Sequence, residues 1–182
     1  MPKKIEIDSE VFELEQFLSE EECRSLIEMA EKKGFSDAMI ISDGKPIVAK
    51  EIRNNQRVLV DDFKLANKIW ARAKPYVPAL LDSCKVMGLN ERFRFYRYEK
   101  NQIFRLHKDF PFSRKGQRSK LTIIIYLNDN FDGGQTDFRK FQVEPKTGSA
   151  LIFRHELLHE GSAVMKGVKY AVRTDIMYES SI

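Results

Sequence analysis

The chain of 182 residues contains three histidines, His107, His155 and His159. Asp109 stands two positions after the first of them, so His107 and Asp109 project to the same face if this segment is a β-strand. With one distant histidine, such a pair forms the two-histidine, one-carboxylate set that binds iron(II) on one side and leaves other positions open. The spacing therefore predicts a metal site, with His155 and His159 both candidates for the third ligand.

A histidine two residues from an aspartate is a weak signal by itself. Chance alone gives one such pair in roughly one chain in six at this composition. A histidine on a strand also packs structurally more often than it binds a metal. The rest of the sequence must therefore decide between a ligand pair and a structural pair.

The first ninety residues predict helices with short strands between them. A capping box, in which the Ser19 hydroxyl and the Glu22 carboxylate each accept a backbone N–H, starts a helix that Gly34 ends. The other predicted elements are a helix that begins after residue 62 and ends at 75, a helix over 77–87, and short strands over 39–41 and 47–52.

From residue 92 onwards the pattern changes to the period of two that is typical of strands. The predicted strands cover 92–98, 121–127, 150–153 and 168–178, with turns at 132–134 and 146–148. Helices followed by many short strands predict an α+β fold that is mainly β, namely a jelly roll (double-stranded β-helix) with supporting N-terminal helices. We expect a single domain over 1–182, with helical support and flanking strands in 1–90 and the jelly-roll core in 91–180.

Composition restricts the class of protein. A hydrophobic fraction of 42% with 13 phenylalanines predicts a globular chain, and no apolar run reaches the ~20 residues of a membrane helix. The first residues lack the apolar stretch of a signal peptide, so we expect a soluble, cytoplasmic protein. Cys23 and Cys84 are interpreted as small core residues. A net charge of +4 permits a nucleic-acid partner without requiring one, and the basic stretch 113–120 is interpreted as a solvated loop.

A series of motifs extends the histidine pair into a family pattern. In order, they are Tyr98, His107-Lys108-Asp109, Thr122 to Asp129 (TIIIYLND), Gly133 to Phe138 (GGQTDF), Pro145 to Phe153 (PKTGSALIF), His159-Glu160-Gly161 and Gly167 to Tyr170 (GVKY). From about residue 93 to 178 the sequence resembles the catalytic domain of the prolyl 4-hydroxylase branch of the 2-oxoglutarate and iron(II)-dependent oxygenases. The resemblance implies 2-oxoglutarate as co-substrate and ascorbate as the reductant.

The resemblance also implies roles for individual residues. His107, Asp109 and His159 are expected to hold Fe(II). His159 is preferred to His155 because Glu-Gly follows it and a basic residue lies ten positions on, as in the family. That basic residue, Lys169, matches the position that anchors the distal carboxylate of 2-oxoglutarate.

Four further residues are expected near the co-substrate. Arg173 is the alternative anchor for the distal carboxylate. Tyr126 matches a phenol that hydrogen-bonds this carboxylate, and Thr122, four residues earlier on the same strand face, is expected to line the pocket. Tyr98 matches a position beside the co-substrate, with simple core packing as an equal alternative.

The last strand supplies a test of this interpretation. One of its faces carries Lys169, Ala171, Arg173 and Asp175, and the other is mostly apolar. The charged face meets solvent in an ordinary antiparallel sheet. In a jelly roll that holds an anion, the same face points inward.

The resemblance implies hydroxylation of an unactivated C–H bond, with a prolyl residue of a protein or peptide as the expected substrate. The alternatives are a nucleic-acid demethylase, a small-molecule hydroxylase, and a jelly-roll module that binds metal without turnover. Segment 169–175 lacks the Arg-x-Asn-x-Thr-x-Arg pattern of alkylation-repair dioxygenases, which disfavours the first. Segments 53–57 and 110–112 are candidates for the substrate entrance, although a solvated loop is the preferred interpretation of 53–57.

Overall fold

The computed structural model describes residues 1–42 and 45–180. In this part of the chain the helices are α1 (Glu20–Lys33) and α2 (Phe63–Ala73). The strands are β1 (Lys3–Asp8), β2 (Val11–Glu15), β3 (Ser36–Asp37), β4 (Ile40–Ser42), β5 (Lys45–Ile47), β6 (Gln56–Asp61), β7 (Leu80–Leu81), β8 (Cys84–Leu89), β9 (Arg92–Tyr98), β10 (Phe104–His107), β11 (Ser113–Arg114), β12 (Gln117–Tyr126), β13 (Asp132–Gly133), β14 (Thr136–Asp137), β15 (Gln142–Val143), β16 (Ala150–Arg154), β17 (His159–Gly161), β18 (Val164–Lys166) and β19 (Lys169–Ser180).

A large antiparallel sheet forms one layer of the molecule. Its order is β1-β2-β16-β12-β19-β9-β6-β3, and β8 also pairs with the C-terminal part of β19. The strands β10, β17, β14 and β15 form a smaller antiparallel sheet, in the order β10-β17-β14-β15. Side chains from both sheets line one cavity, so the two sheets face each other across it. Two facing antiparallel sheets confirm the predicted jelly roll.

Alternation along β12 gives the large sheet two different faces. Ile123 and Ile125 belong to the hydrophobic core that also includes buried residues of both helices. Thr122, Ile124 and Tyr126 project to the opposite face, because side chains alternate along a strand. The helices therefore cover the outer face of the large sheet, and its inner face is turned towards the smaller sheet.

The first two predicted N-terminal helices are confirmed. Ser19 and Glu22 form the capping box at the start of α1. The Asp62 side chain caps α2 by accepting the backbone N–H of Leu65 at 2.9 Å. Arg72 of α2 donates to both carboxylate oxygens of Glu22 at 2.7 Å, which ties the two helices together.

The helix predicted over 77–87 is wrong, because this segment forms the hairpin of β7 and β8. Asp82 and Ser83 occupy its turn with φ of 48° and 61°, a left-handed conformation that ends any helix. Gly88, close behind, has a φ of 145° that a helix does not contain. Local turn chemistry thus overrides the helical spacing of the apolar residues.

Two shorter predictions also need correction. The strand predicted over 47–52 is wrong beyond Ile47, since residues 48–52 form a loop and turn. The predicted solvated loop at 113–120 is instead the hairpin of β11 with the start of β12. Two of its cations are paired, Arg114 with Glu91 and Lys120 with Asp82.

Neither helix in the described ranges has the length and apolarity needed to cross a bilayer.

The turn at 146–148 packs so closely that it requires glycine. Gly148 has a φ of +76°, and a β-carbon added there would lie 2.1 Å from the carbonyl oxygen of Leu18. Gly116 has a similar φ of +78° but open space around it. Comparing alanine substitutions at Gly148 and Gly116 therefore separates the effect of backbone strain from that of steric overlap.

We expect Gly148→Ala to lower the free energy of unfolding by at least about 2 kcal/mol more than Gly116→Ala does, because only the former adds overlap to strain. Urea unfolding followed by circular dichroism measures both values. Equal losses in the two variants would contradict the close packing of this turn.

Candidate metal and co-substrate site

The pairing of β10 with β17 brings the predicted triad together. His107 at the end of β10 lies opposite His159 at the start of β17. Asp109 follows two residues later and donates its backbone N–H to His155 O at 3.1 Å. One side-chain ligand atom from each of His107, Asp109 and His159 lies within 4.8 Å of the others. The Nε2 atoms of the two imidazoles lie 3.8 Å from Asp109 Oδ1 and Oδ2, respectively.

Both imidazoles are oriented by backbone carbonyls. His107 Nδ1 lies 2.8 Å from Arg105 O, and His159 Nδ1 lies 3.0 Å from Leu157 O. A carbonyl only accepts, so each Nδ1 carries the proton and each Nε2 keeps a lone pair for a metal. Burial lowers the pKa of His107 to about 3 and also lowers the pKa of His159. Both rings are therefore neutral at physiological pH, the form that binds metals.

The Asp109 carboxylate is held from two sides. Thr122 Oγ1 lies 2.5 Å from Oδ2, and Arg173 Nη1 lies 3.0 Å from Oδ1. Burial opposes the charge of Asp109, but the positive charge of Arg173 and the contacts with His159 and Thr122 outweigh it and hold its pKa below the usual value. Two neutral imidazoles and one ionised carboxylate are a donor set that fits Fe(II).

His155, the competing candidate, lies apart from this triad in the β16–β17 loop. Its ring is buried, with Nδ1 2.9 Å from Thr122 Oγ1 and Nε2 2.8 Å from Ser119 Oγ. Both ring nitrogens therefore already have hydrogen-bond partners among side chains. The geometry supports His159 over His155 as the third ligand.

A cavity between the two sheets adjoins the triad. Its lining is Tyr96, Tyr98, Phe104, His107, Asp109, Ile124, Thr136, His159, Gly161, Lys169, Ala171 and Arg173. The charged face of the last strand thus points inward, as expected for a lumen that holds an anion.

Lys169 is a buried cation without an acidic partner among the described residues. Its ammonium donates to Gly134 O at 2.6 Å and lies 5.3 Å and 5.4 Å from the ring centroids of Tyr98 and Tyr126. Only 4% of its surface is exposed, and burial lowers its pKa to about 7. An anion in the cavity would stabilise the charged form of this amine.

Arg173 has a different environment. Its guanidinium contacts Asp109 at 3.0 Å and Asp175 at 3.0 Å, and Arg94 contacts the other oxygen of Asp175 at 2.9 Å. The charge of Arg173 is thus balanced by two carboxylates. A buried cation that is already paired has less to gain from a further anion than Lys169 does.

The remaining predicted residues lie at different depths. Tyr98 lines the cavity. Tyr126 lies behind Thr136, which lines the cavity and whose hydroxyl is 2.6 Å from the Tyr126 hydroxyl. Thr122 is fully buried behind Asp109 and is not part of the cavity lining. Its contacts are with a triad residue and His155.

Sequence reasoning missed a stack of groups beside the triad. The Phe104 ring lies 3.5 Å from the His107 ring at an angle of 17°. The guanidinium of Arg53 lies 4.1 Å from the Phe104 centroid and 4.7 Å from that of Tyr96. Arg53 and Asn55 are buried, so the preferred interpretation of 53–57 as a solvated loop is wrong for these two residues.

Comparison with known proteins shows which family this chain resembles. Residues 93–174 match the model of the 2OG-Fe(II) oxygenase superfamily. A putative prolyl 4-hydroxylase of Acanthamoeba polyphaga mimivirus is 28% identical over 181 residues, which cover 87% of this chain and 70% of the viral protein.

Solved structures share the architecture. The viral collagen prolyl hydroxylase from Paramecium bursaria Chlorella virus-1, in its 2OG complex, has a TM-score of 0.69 and 22% identity and covers 93% of this chain and 96% of its own. A prolyl hydroxylase from Trichoplax adhaerens, in complex with a hypoxia inducible factor oxygen degradation domain peptide fragment, also has a TM-score of 0.69, with 16% identity and coverage of 91% and 82%. Residues 93–174 therefore match the 2OG-Fe(II) oxygenase superfamily, and the chain shares its fold with the solved prolyl hydroxylases.

Proposed function

We propose that the chain is a 2-oxoglutarate and Fe(II)-dependent dioxygenase that hydroxylates a prolyl residue of a protein or peptide. One observation carries this proposal. The same cavity is lined by two neutral imidazoles with one carboxylate, and by a buried ammonium that has no acidic partner among the described residues. The first fits a ferrous ion, and the second fits the far carboxylate of a dicarboxylic co-substrate.

In this proposal His107, Asp109 and His159 hold the metal. When bound, Fe(II) supplies the oxidising chemistry, in which dioxygen converts 2-oxoglutarate to succinate and carbon dioxide and hydroxylates the substrate. The protein keeps both imidazoles neutral through burial and directs their Nε2 atoms through the carbonyls of Arg105 and Leu157. It keeps Asp109 ionised through Arg173.

Lys169 is the proposed anchor of 2-oxoglutarate. Its ammonium has a carbonyl acceptor but no acidic partner in the described ranges, whereas Arg173 is already paired twice. The Thr136 hydroxyl lines the same cavity and is the proposed donor to the co-substrate carboxylate, while the Tyr126 hydroxyl behind it donates to Thr136. Tyr98 is proposed to pack beside it.

The substrate side is proposed to include Phe110 and the loop that carries Arg53. Phe110 directly follows the triad carboxylate and is 86% exposed, which suits an apolar contact with a prolyl ring. The mimivirus relative is named a putative prolyl 4-hydroxylase, and the Trichoplax structure holds a peptide fragment. Both support a peptide substrate here. Ascorbate is the proposed reductant, and the cytoplasmic location stays a prediction from the sequence.

Turnover is the direct test of this function. With Fe(II), ascorbate, dioxygen and 2-oxoglutarate, we expect succinate formation that rises with proline-containing peptides, and a mass gain of one oxygen atom at proline. His159→Ala should remove metal binding and succinate formation together, because one of three ligands is lost. The exposed Lys108→Ala, between two proposed ligands, is the matched control and should retain both. A wild-type protein that binds Fe(II) but forms no succinate would contradict the enzyme and favour a binding module.

The choice of anchor predicts a difference between two cations. Lys169→Met should raise the KM for 2-oxoglutarate at least about 30-fold at saturating Fe(II), since truncating a buried charge pair costs about 2 kcal/mol or more. Arg173→Lys, which keeps a charge between Asp109 and Asp175, should change this KM less than about threefold. The reverse order in steady-state kinetics would transfer the anchor role to Arg173.

Lys169 also predicts a pH dependence of folding. Its pKa is about 7 in the folded protein and about 10.4 in an exposed chain. The unfolded chain therefore binds more protons between these values, and wild-type stability at this site rises with pH by up to about 1.4 kcal/mol per unit. Lys169→Met should be the more stable protein at pH 7 without 2-oxoglutarate, and its advantage in urea unfolding should shrink towards pH 10. An advantage independent of pH would refute the buried-amine explanation.

A further inference from the structure

A chain of hydrogen bonds runs from the protein interior to the Asp109 carboxylate. Ser119 Oγ accepts the backbone N–H of Phe112 at 2.8 Å and lies 2.8 Å from His155 Nε2. His155 Nδ1 lies 2.9 Å from Thr122 Oγ1, which lies 2.5 Å from Asp109 Oδ2. The side chains of Ser119, His155, Thr122 and Asp109 are all buried, so these bonds are shielded from bulk solvent.

Counting protons fixes the direction of each bond. An ionised carboxylate only accepts, so Thr122 donates its single proton to Asp109. Thr122 must then accept from His155, which places a proton on Nδ1. The Nε2 atom of neutral His155 accepts from the Ser119 hydroxyl. Every donor and acceptor in the chain is used once, and the Thr122 hydroxyl has no freedom to turn away.

This chain opposes the pull of Arg173 on the same carboxylate. Arg173 contacts Oδ1 and Thr122 contacts Oδ2. Without the Thr122 hydrogen bond, Oδ2 would be a buried charged atom without its donor, and the carboxylate would be free to rotate towards the guanidinium. Such a rotation would turn it away from the imidazoles of His107 and His159.

We propose that Thr122 is a positioning residue for Asp109, and that His155 acts through Thr122 by fixing the direction of its hydroxyl. The inference rests on the proposed function, because the orientation of Asp109 matters only if its carboxylate binds the metal. Groups that orient metal ligands typically change metal affinity by about 10- to 100-fold when removed. Thr122 and His155 thus tune metal binding without touching the metal or the co-substrate.

Titration with Mn(II), followed by the electron paramagnetic resonance signal of the free ion, tests Thr122 without any turnover. Thr122→Val keeps the shape and removes the donor, and should weaken Mn(II) binding about tenfold or more. Thr122→Ser keeps the donor and should restore binding to within about threefold of wild type. Thr174→Val removes another buried hydroxyl, which donates to Asn90 O at 2.7 Å, and controls for general loss of stability. Wild-type affinity in Thr122→Val would overturn the proposal.

A double-mutant cycle tests the role of His155. His155→Phe removes the donor to Thr122, and His155→Asn keeps an N–H near the position of Nδ1. We expect His155→Phe to weaken Mn(II) binding several-fold, His155→Asn to weaken it less, and the Thr122→Val/His155→Phe double variant to match Thr122→Val alone. Non-additivity is the mark of two residues that act through one atom. Additive losses would show that His155 does not act through Thr122.

The same titration separates this proposal from the proposed function. Asp109→Ala should abolish Mn(II) binding in an otherwise folded protein. If wild type does not bind Mn(II), or if Asp109→Ala binds it equally well, the metal site itself is refuted. If both behave as expected and Thr122→Val equals wild type, only the positioning role fails.

Discussion

The register between β10 and β17 is the constraint on which the site depends. It places His107 directly opposite His159, and the loop that leaves β10 is fixed when Asp109 donates its N–H to the β16–β17 loop. Neither strand could hold this geometry alone, since β17 has three residues and β10 has four. On its other side β17 pairs with β14, which joins both strands to the smaller sheet. The large sheet supplies the opposite wall through β9, β12 and β19.

Lys169 and Arg173, the lysine and the arginine that line the cavity, have different roles because their neighbouring charges differ. Arg173 lies between Asp109 and Asp175, so its charge is used to keep a proposed ligand ionised. Lys169 has a carbonyl as its acceptor, and its lowered pKa reports the cost of burying an ammonium without an anion. A site that binds a dianion gains from such a cation because binding removes that cost. The two residues occupy the same face of β19, four positions apart, yet their neighbours determine their chemistry.

The elements with local signals could be predicted from the sequence, whereas the complete site was expected only from the resemblance of the ordered motifs between residues 98 and 170. The capping box at Ser19 and the His107–Asp109 spacing depend on neighbours within four residues. The errors arise where a local pattern is broken. In β10 an extra residue shifts the register between Phe104 and His107. These two side chains are three positions apart and still line the same cavity. A regular strand, in which side chains alternate between faces, would place them on opposite faces. Asp82 and Ser83 have left-handed backbone conformations, so this segment forms a hairpin where a helix was predicted. The hairpin of β1 and β2 was not predicted, and its pairing with β16 joins residues more than a hundred positions apart.

The strand β12 shows why some functional residues are hidden in sequence. Its run from Leu121 to Tyr126 resembles a strand buried on both faces, and it is buried on both, but for different reasons. Ile123 and Ile125 face the hydrophobic core, whereas Thr122 and Tyr126 face the site, where their hydroxyls have specific partners. A hydroxyl in such a run carries no sign of its partner, because Asp109 and Thr136 come from other strands and loops. In a jelly roll of this kind, buried polar side chains on the inner face of the large sheet are therefore better guides to the site than exposed ones.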